Sequence, residues 1–283
     1  MKKIAILALT MITLSCFSQE NRIDIEKIKA LKITSITGSS VSIKNGFVNT
    51  ESSNTFFELY NEDGKLTDQF FANLKGENKT KLKLYYGKCN KYEKSEDIEK
   101  VNGKEKITKT NKIIYDNLCR ETKIIWIDEE NKITETEEII YNTENQKISN
   151  ISKNPKNEIT SKIVFSYPEK NIEETKAYFE NEKFWYHHKI KKDENGNEIE
   201  SISFDENGKI ENKETTKYQY NNNKKIIEEL HFDENDKLKY KKDYLYNSDN
   251  LIERVITTKK EVGINMPNLT ENINITVYYY TKE

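Results

Sequence analysis

Phe204-Asp205-Glu206-Asn207-Gly208-Lys209-Ile210 is the stretch whose reading decides the fold, and it returns nearly unchanged at Phe232-Asp233-Glu234-Asn235-Asp236-Lys237-Leu238. The aspartate after the aromatic can accept a hydrogen bond from the backbone two residues on, and the next two residues suit a type I turn. The fifth residue then takes φ > 0 and reverses the chain into a hairpin with a one-residue bulge. Read at that fifth position, the signal runs Gly64, Gly76, Asn90, Gly103, Cys119, Asn131, Asn145, Asn157, Asn171, Lys183, Gly196, Gly208, Lys224, Asp236, Asn250. The steps alternate between a shorter and a longer one, from 12 to 16 residues. Twelve of the fifteen positions are Gly, Asn or Asp, the types that tolerate φ > 0. The unit is therefore a two-strand hairpin of about 26 residues. Lys183, Lys224 and Cys119 depart from the rule and predict looser or differently shaped turns.

Strand phase comes from the residues before each turn. Pairs spaced by two, which share a face of a strand, recur at Leu84/Tyr86, Ile113/Tyr115, Ile125/Ile127, Ile139/Tyr141, Phe165/Tyr167, Ile202/Phe204, Tyr218/Tyr220, Leu230/Phe232 and Tyr244/Tyr246. Phe57/Leu59 stands one residue out of phase, and Lys, Glu, Thr and Asn fill the other face. The slot before every other turn is tyrosine at 60, 86, 115, 141, 167, 220 and 246, with Lys192 the exception, whereas Phe179, Phe204 and Phe232 occupy alternate slots. The expected fold is all-β, an antiparallel meander of repeated hairpins forming a single coiled or rolled sheet. Coiling would put the greasy face inside, with Tyr141, Tyr167, Phe204, Tyr220 and Phe232 mostly buried. The tyrosines read as core residues whose hydroxyls reach the sheet edge rather than as a sugar-stacking row.

Residues 1–18 read as a signal peptide, with Lys2-Lys3, an apolar run from Ile4 to Leu14 and cleavage after Ser18. The rival reading is a lipoprotein anchored at Cys16. Residues 19–57 form a lead-in with irregular strands and a turn near Gly46, residues 58–260 the hairpin array, and residues 261–283 a loop (Gly263 to Asn268) with a closing strand from Ile273 to Tyr280. Aromatics at 11% in periodic positions oppose disorder despite 33% charged residues, and a net charge of −2 gives no reason to expect nucleic acid. Export makes a Cys89–Cys119 disulfide chemically open. Turns two strands apart would sit about 10 Å from one another, too far for a bridge unless they lean together, and two unpaired thiols are the alternative.

No catalytic, cofactor-binding or metal-ligating residue is assigned. His187 and His188 are adjacent in a strand, so their rings point to opposite faces and do not chelate one ion, and His231 is distant. The Asp-Glu-Asn-Gly turns lack the spaced oxygens of a calcium loop. No nucleophile elbow, phosphate loop or metallohydrolase motif occurs, and near-identical units single out no asymmetric catalytic constellation. A membrane barrel is not expected, because two or three apolar residues per strand cannot build a lipid-facing band.

The segments Phe204 to Ile210, Tyr60-Asn61-Glu62-Asp63-Gly64-Lys65-Leu66 and Tyr246-Asn247-Ser248-Asp249-Asn250-Leu251 resemble the Tyr-Asp (YD) repeat of RHS-like bacterial exported proteins, with a weaker likeness to MORN-type repeats. The resemblance implies extended sheet curled into a spiral or shell, export and surface interaction. The expected function is a non-catalytic structural or binding module, secreted, periplasmic or at the cell surface, with a protein or glycan partner. An immunity or antitoxin-like protein and a glycan-active enzyme are the alternatives.

Overall fold

A computed structural model describes residues 25–44, 47–73, 78–261 and 270–282. The expected signal peptide, Cys16, and the turns at Gly46, Gly76 and Gly263 to Asn268 lie outside the described residues. A short helix, α1 (Ile25–Ala30), leads into β1 (Ile33–Lys44), β2 (Phe47–Tyr60), β3 (Leu66–Asn73), β4 (Asn78–Tyr86), β5 (Tyr92–Val101), β6 (Lys104–Tyr115), β7 (Glu121–Asp128), β8 (Ile133–Tyr141) and β9 (Lys147–Lys153). There follow β10 (Ile159–Ser166), β11 (Ile172–Phe179), β12 (Phe184–Lys192), β13 (Glu198–Phe204), β14 (Ile210–Tyr220), β15 (Ile226–Phe232), β16 (Leu238–Tyr246), β17 (Ile252–Glu261) and β18 (Thr270–Lys282).

Each strand pairs antiparallel with its sequence neighbours, and β1 pairs with both β2 and β18. The expected open, coiled or rolled sheet is thus corrected: the meander closes into an 18-stranded β-barrel. Closure removes both edges, which a coil would leave as rows of unpaired N–H and C=O groups. The lead-in segment supplies the strand that the C-terminal strand needs, with Ile36 opposite Tyr280 and Ser42 opposite Asn274.

Most of the hairpins share one device. Oδ1 of the first turn residue accepts the N–H groups two and four positions on, as at Asp205 to Asn207 and Lys209, both within 2.9 Å. The same bonds recur from Asp116 to Leu118 and Arg120, and from Asn221 to Asn223 and Lys225. Cys119 (φ 57°) and Lys224 (φ 58°) therefore sit in the same left-handed position as Gly208 (φ 79°), so these two turns are not loosened. Of the three exceptions only the turn at Lys183 differs: a single 3-10 turn, Glu180–Glu182, puts Asn181 and Glu182 at positive φ instead. Lys224→Gly is expected to stabilise the protein by about 1 kcal/mol, because glycine alone occupies this region without steric cost. A urea midpoint that does not rise would show that the Asn221 side chain already offsets the whole strain.

The bulges decide which side chains face inward. At each of these turns one strand carries an extra residue, for example Ile227 between the pairs Gln219–Glu228 and Tyr220–Ile226. One extra residue turns every following side chain to the other face. Tyr220 and Phe232, twelve residues apart and each directly before a turn, consequently face opposite ways. The expectation of one greasy face carrying both rows is corrected on this ground. Phe204 pairs with His187 and stacks on its ring at 4.4 Å on one face; Lys217 lies over Phe232 at 4.8 Å on that same face. The tyrosines take the other. None of Tyr141, Tyr167, Phe204, Tyr220 and Phe232 is fully buried; all are partly exposed.

Convergence of side chains identifies the inner face. Ile113, Ile139 and Tyr244 are buried, whereas the next residues along the same strands, Ile114, Ile140 and Leu245, are exposed. The tyrosine face is therefore the lumen. The outer face carries at least one charged side chain on each strand from β3 to β17, such as Asp68, Lys83, Lys112, Glu138, Lys176, Glu200, Lys213, Glu228, Lys241 and Arg254, with cross-strand pairs at Lys213–Glu200 (2.8 Å) and Lys241–Glu228 (2.7 Å). Among the described side chains it reads Ile273, Ile275, Val277 and Tyr279 on β18, Ser35, Thr37, Ser39, Val41 and Ile43 on β1, and Thr55, Phe57 and Leu59 on β2.

The main packed core sits at one end. Ile28 of α1, 1% exposed, packs with Ile33, Ile36, Tyr244, Leu251, Val255 and Tyr278, so the helix covers the sector of the mouth formed by β16, β17, β18, β1 and β2. At that same mouth a Cys89–Cys119 disulfide joins the β4–β5 turn to the β6–β7 turn, with the Cα atoms 5.4 Å apart. The two turns lean together, well inside the spacing expected of a regular sheet.

Candidate functional site

The lumen is the candidate site. Eighteen strands spaced about 4.8 Å apart give roughly 86 Å of perimeter before tilt, and barrels of this size keep an aqueous interior. Lumen-facing Lys259 and Asn274 are exposed, and most other inward side chains are only partly covered.

One end of the lumen is aromatic and apolar. Tyrosines close alternate strands around the helix-covered mouth, each reaching a carbonyl at the start of a preceding strand: Tyr86 to Leu66 (2.9 Å), Tyr115 to Tyr92 (2.9 Å), Tyr167 to Lys147 (3.0 Å), Tyr246 to Ile226 (2.7 Å) and Tyr280 to Ile252 (2.5 Å). Burial raises these phenols, to about 12 at Tyr86, so they stay neutral donors. Carbonyls left over where a bulge breaks the ladder thus find partners. Two residues deeper comes a ring of Leu84, Ile113, Ile124, Ile139, Phe165, Ile190, Tyr218, Tyr244, Val255 and Tyr278. Lys192, the one non-tyrosine in the slot, stands on β12 opposite Glu198.

Farther from the tyrosines the lumen becomes polar. Tyr244 donates to Glu229 Oε2 at 2.6 Å, and the other Glu229 oxygen meets His231 Nε2. With Nε2 donating, Nδ1 of His231 is left to accept from Thr216 Oγ1 at 3.2 Å. Tyr240 stacks on the same imidazole at 3.9 Å. Burial acts to raise Glu229, but the His231 and Tyr244 hydrogen bonds and the Lys242 charge hold it below the usual carboxylate range. Lys239 bonds Glu214 at 2.5 Å. Beside this network, at the mouth opposite α1, lies a cavity of about 500 Å³ lined by Lys239, Tyr240, Lys242, Thr257, Lys259, Asn272 and Asn274.

Across the lumen the balance reverses. Glu137 lies beside Ser152 and accepts from Asn150 Nδ2 at 2.8 Å, and burial pushes its carboxyl up to about 7. Its folded value stands above its unfolded one, so the native state holds the proton more tightly. The stabilisation is complete below pH 4.5 and is lost as pH rises through about 7. Glu137→Gln is therefore expected to leave stability near pH 4 unchanged and to raise it by about 1–3 kcal/mol at pH 8. Urea midpoints at the two pH values check this; an equal effect at both would remove titration of Glu137 as the cause.

The histidines behave differently from a chelate. His187 faces outward onto Glu174 (2.5 Å), and His188 faces the lumen onto Ser201 (2.6 Å). Among the described residues no group of three or more His, Cys, Asp or Glu side chains is placed to hold a metal ion. The lumen was missed from the sequence because its lining alternates with outward residues across bulges; its visible signal was the tyrosine slot with the apolar residue two positions before it, as at Leu84/Tyr86, Ile113/Tyr115 and Ile139/Tyr141.

No family model matches the chain, and no curated protein does. Among solved structures, a porin-like protein from Bacteroides uniformis ATCC 8492 is similar over 89% of this chain and 97% of its own, at 11% identity and a TM-score of 0.47. A DUF1329 family protein from Desulfovibrio piger ATCC 29098 follows at 7% identity and a TM-score of 0.25, covering 91% of this chain and 88% of that one. A LolA superfamily protein from Nitrosomonas europaea aligns at 7% identity and a TM-score of 0.18, over 90% and 89%. The resemblance to YD (RHS-like) and MORN-type repeats is corrected: no such family matches, and a closed barrel replaces the spiral or shell it implied. The shared heptapeptide is the chemistry of any bulged hairpin, with an Asx side chain capping the turn and a left-handed fifth residue.

Proposed function

We propose that this chain is an exported, non-catalytic binding module that takes an amphiphilic ligand into its lumen. The observation that carries this reading is the division of the lumen: toward the α1 end an apolar ring in which Leu84, Ile124, Phe165, Ile190 and Tyr218 are only partly covered, and Lys, Asn, Thr and Glu toward the open mouth. Apolar surface facing an aqueous interior gains roughly 25 cal/mol per Å² when an apolar ligand covers it. The polar mouth then holds the ligand's head. The charged outer face of β3–β17 opposes a lipid-facing role, since each Arg or Lys at the bilayer midplane of a membrane barrel costs about 2–4 kcal/mol. Export is supported by the signal-like N-terminus and by the Cys89–Cys119 disulfide, which persists in oxidising compartments.

The test is titration with a dansyl-tagged long-chain fatty acid, read by energy transfer from tryptophan, Trp126 being a lumen residue only 5% exposed. Saturable binding is expected, weakened tenfold or more by Ile139→Glu or Phe165→Glu and unchanged by outward Ile140→Glu. Absence of saturable binding, or equal effects of Ile139→Glu and Ile140→Glu, would overturn the lumen as the site.

A further inference from the structure

Beyond the apolar ring, two rows of side chains face the lumen across β16, β17 and β18. Tyr240, Lys259 and Asn272 stand opposite one another in the row nearest the open mouth, and Lys242, Thr257 and Asn274 in the next. With Lys239, the extra residue of the β15–β16 bulge, they line the cavity of about 500 Å³. All seven carry a hydrogen-bond donor, three are lysines, and no carboxylate from the described residues joins the lining. Lys242 and Lys259 are diagonal neighbours, roughly 7–8 Å apart at the sheet, so both ammonium groups reach a point between them. The carboxylates beside the cavity are turned to other groups. Glu214 bonds Lys239 at 2.5 Å, and Glu229, opposite Lys242, has one oxygen on Tyr244 and the other on His231. The following row, Tyr244, Val255 and Thr276, lies about 7 Å farther in, where the apolar ring begins.

We propose that this corner of the lumen binds the anionic head group, a carboxylate or phosphate, of an amphiphile whose chain lies on the apolar ring. The inference rests on the lumen as the amphiphile's site and adds the chemistry of the head. A concave wall lined by one sign of charge focuses its field into the cavity and draws in anionic oxygens. Lys242 and Lys259 supply the charge, and the Tyr240 and Thr257 hydroxyls and the Asn272 and Asn274 amides supply further donors around the same point. An ammonium has three donors, so a bond to a neighbouring group leaves others for a ligand. Charge-assisted bonds from such donors to a carboxylate or phosphate are roughly twice as strong as neutral ones, which an uncharged head forgoes. The far wall works in the same direction. Asp97 of β5 and Glu135 and Glu137 of β8 face the lumen there and disfavour an anion on that side, so the head is directed to β16–β18.

Titration of the purified full chain with dansyl-tagged undecanoic acid and with its methyl ester, which share one chain and differ in head charge, tests this. Wild type is expected to bind the acid tenfold or more tightly than the ester, by a margin that narrows as salt is raised. The Lys242→Gln/Lys259→Gln double variant is expected to bring the ratio of the two affinities near one with unchanged far-ultraviolet circular dichroism, and Lys242→Arg/Lys259→Arg to keep the preference. Lys217→Gln, at an outward lysine over Phe232, is expected to keep it as well. Inorganic phosphate at about 1 mM is expected not to displace the acid, because the head contacts without a chain bind more weakly than that. Equal binding of acid and ester by wild type, a preference that survives in the Gln double variant, or one lost equally in Lys217→Gln would overturn the anionic head and leave the lumen reading standing. Displacement by phosphate would overturn it in favour of a free anion. Absence of saturable binding by both probes would overturn the lumen reading and this inference together.

Discussion

Trp126→Ala is expected to lower stability by about 3–5 kcal/mol, the usual range for emptying a buried aromatic site. Trp126 is 5% exposed and faces the lumen from β7, between Asn111 of β6 and Glu135 of β8. Asn111 donates to Ser95 at 3.3 Å, while its Oδ1 is buried without a partner among the described residues, so the packing around the indole excludes solvent from a polar wall. Removing the indole opens a void beside those amides. The outward Phe204 is the comparison: partly exposed and stacked on His187, it should cost only about 1 kcal/mol on truncation, because little apolar area is lost from contact. Urea midpoints of the two variants decide the matter. A loss at Phe204 equal to that at Trp126 would return the phenylalanines to the core and reverse the assignment of the faces.

Breaking the Cys89–Cys119 bridge is expected to cost about 3–4 kcal/mol, the chain-entropy value for a loop of this length. The two cysteines are separated by 30 residues, and the loop so closed holds the whole β5–β6 hairpin. Arg120 beside Cys119 adds to the local order, bonding Asp116 Oδ2 at 2.6 Å and Asn145 Oδ1 of the next turn at 2.6 Å. These side-chain contacts survive reduction, so the loss should fall on the unfolded state. The measurement is the urea midpoint of the Cys89→Ala/Cys119→Ala double variant, against wild type with and without dithiothreitol. Coincident midpoints for oxidised wild type and the double variant would show that the bridge does not constrain the unfolded chain.

What was legible in the sequence is what short-range chemistry decides. An Asx residue, two turn residues and a left-handed fifth residue close a hairpin wherever they occur, and Asp205 to Gly208 or Asn247 to Asn250 need no help from the rest of the chain. Even Lys224 and Cys119, which break the residue rule, keep the turn because Asn221 and Asp116 cap it. All-β character, antiparallel order and strand positions follow from that beat and from the period-two pattern between turns.

The faces of the strands were not legible, although the bulges that set them were. Phe232 falls outside and Tyr220 inside because one extra residue between them inverts the alternation, and reading both as one apolar row ignores that inversion. The lumen site was hidden for the same reason: Glu229, His231, Tyr240 and Lys242 come together only once two successive bulges have been counted. The Cys89–Cys119 pairing depended on how far two turns lean, which residue spacing does not express. Closure was the least visible. Whether Ile36 meets Tyr280 depends on twist and stagger summed over all the strands between them, so a few degrees per strand separate a coil from a ring. Turns are decided within five residues; the barrel and its lumen are decided only by the whole circumference.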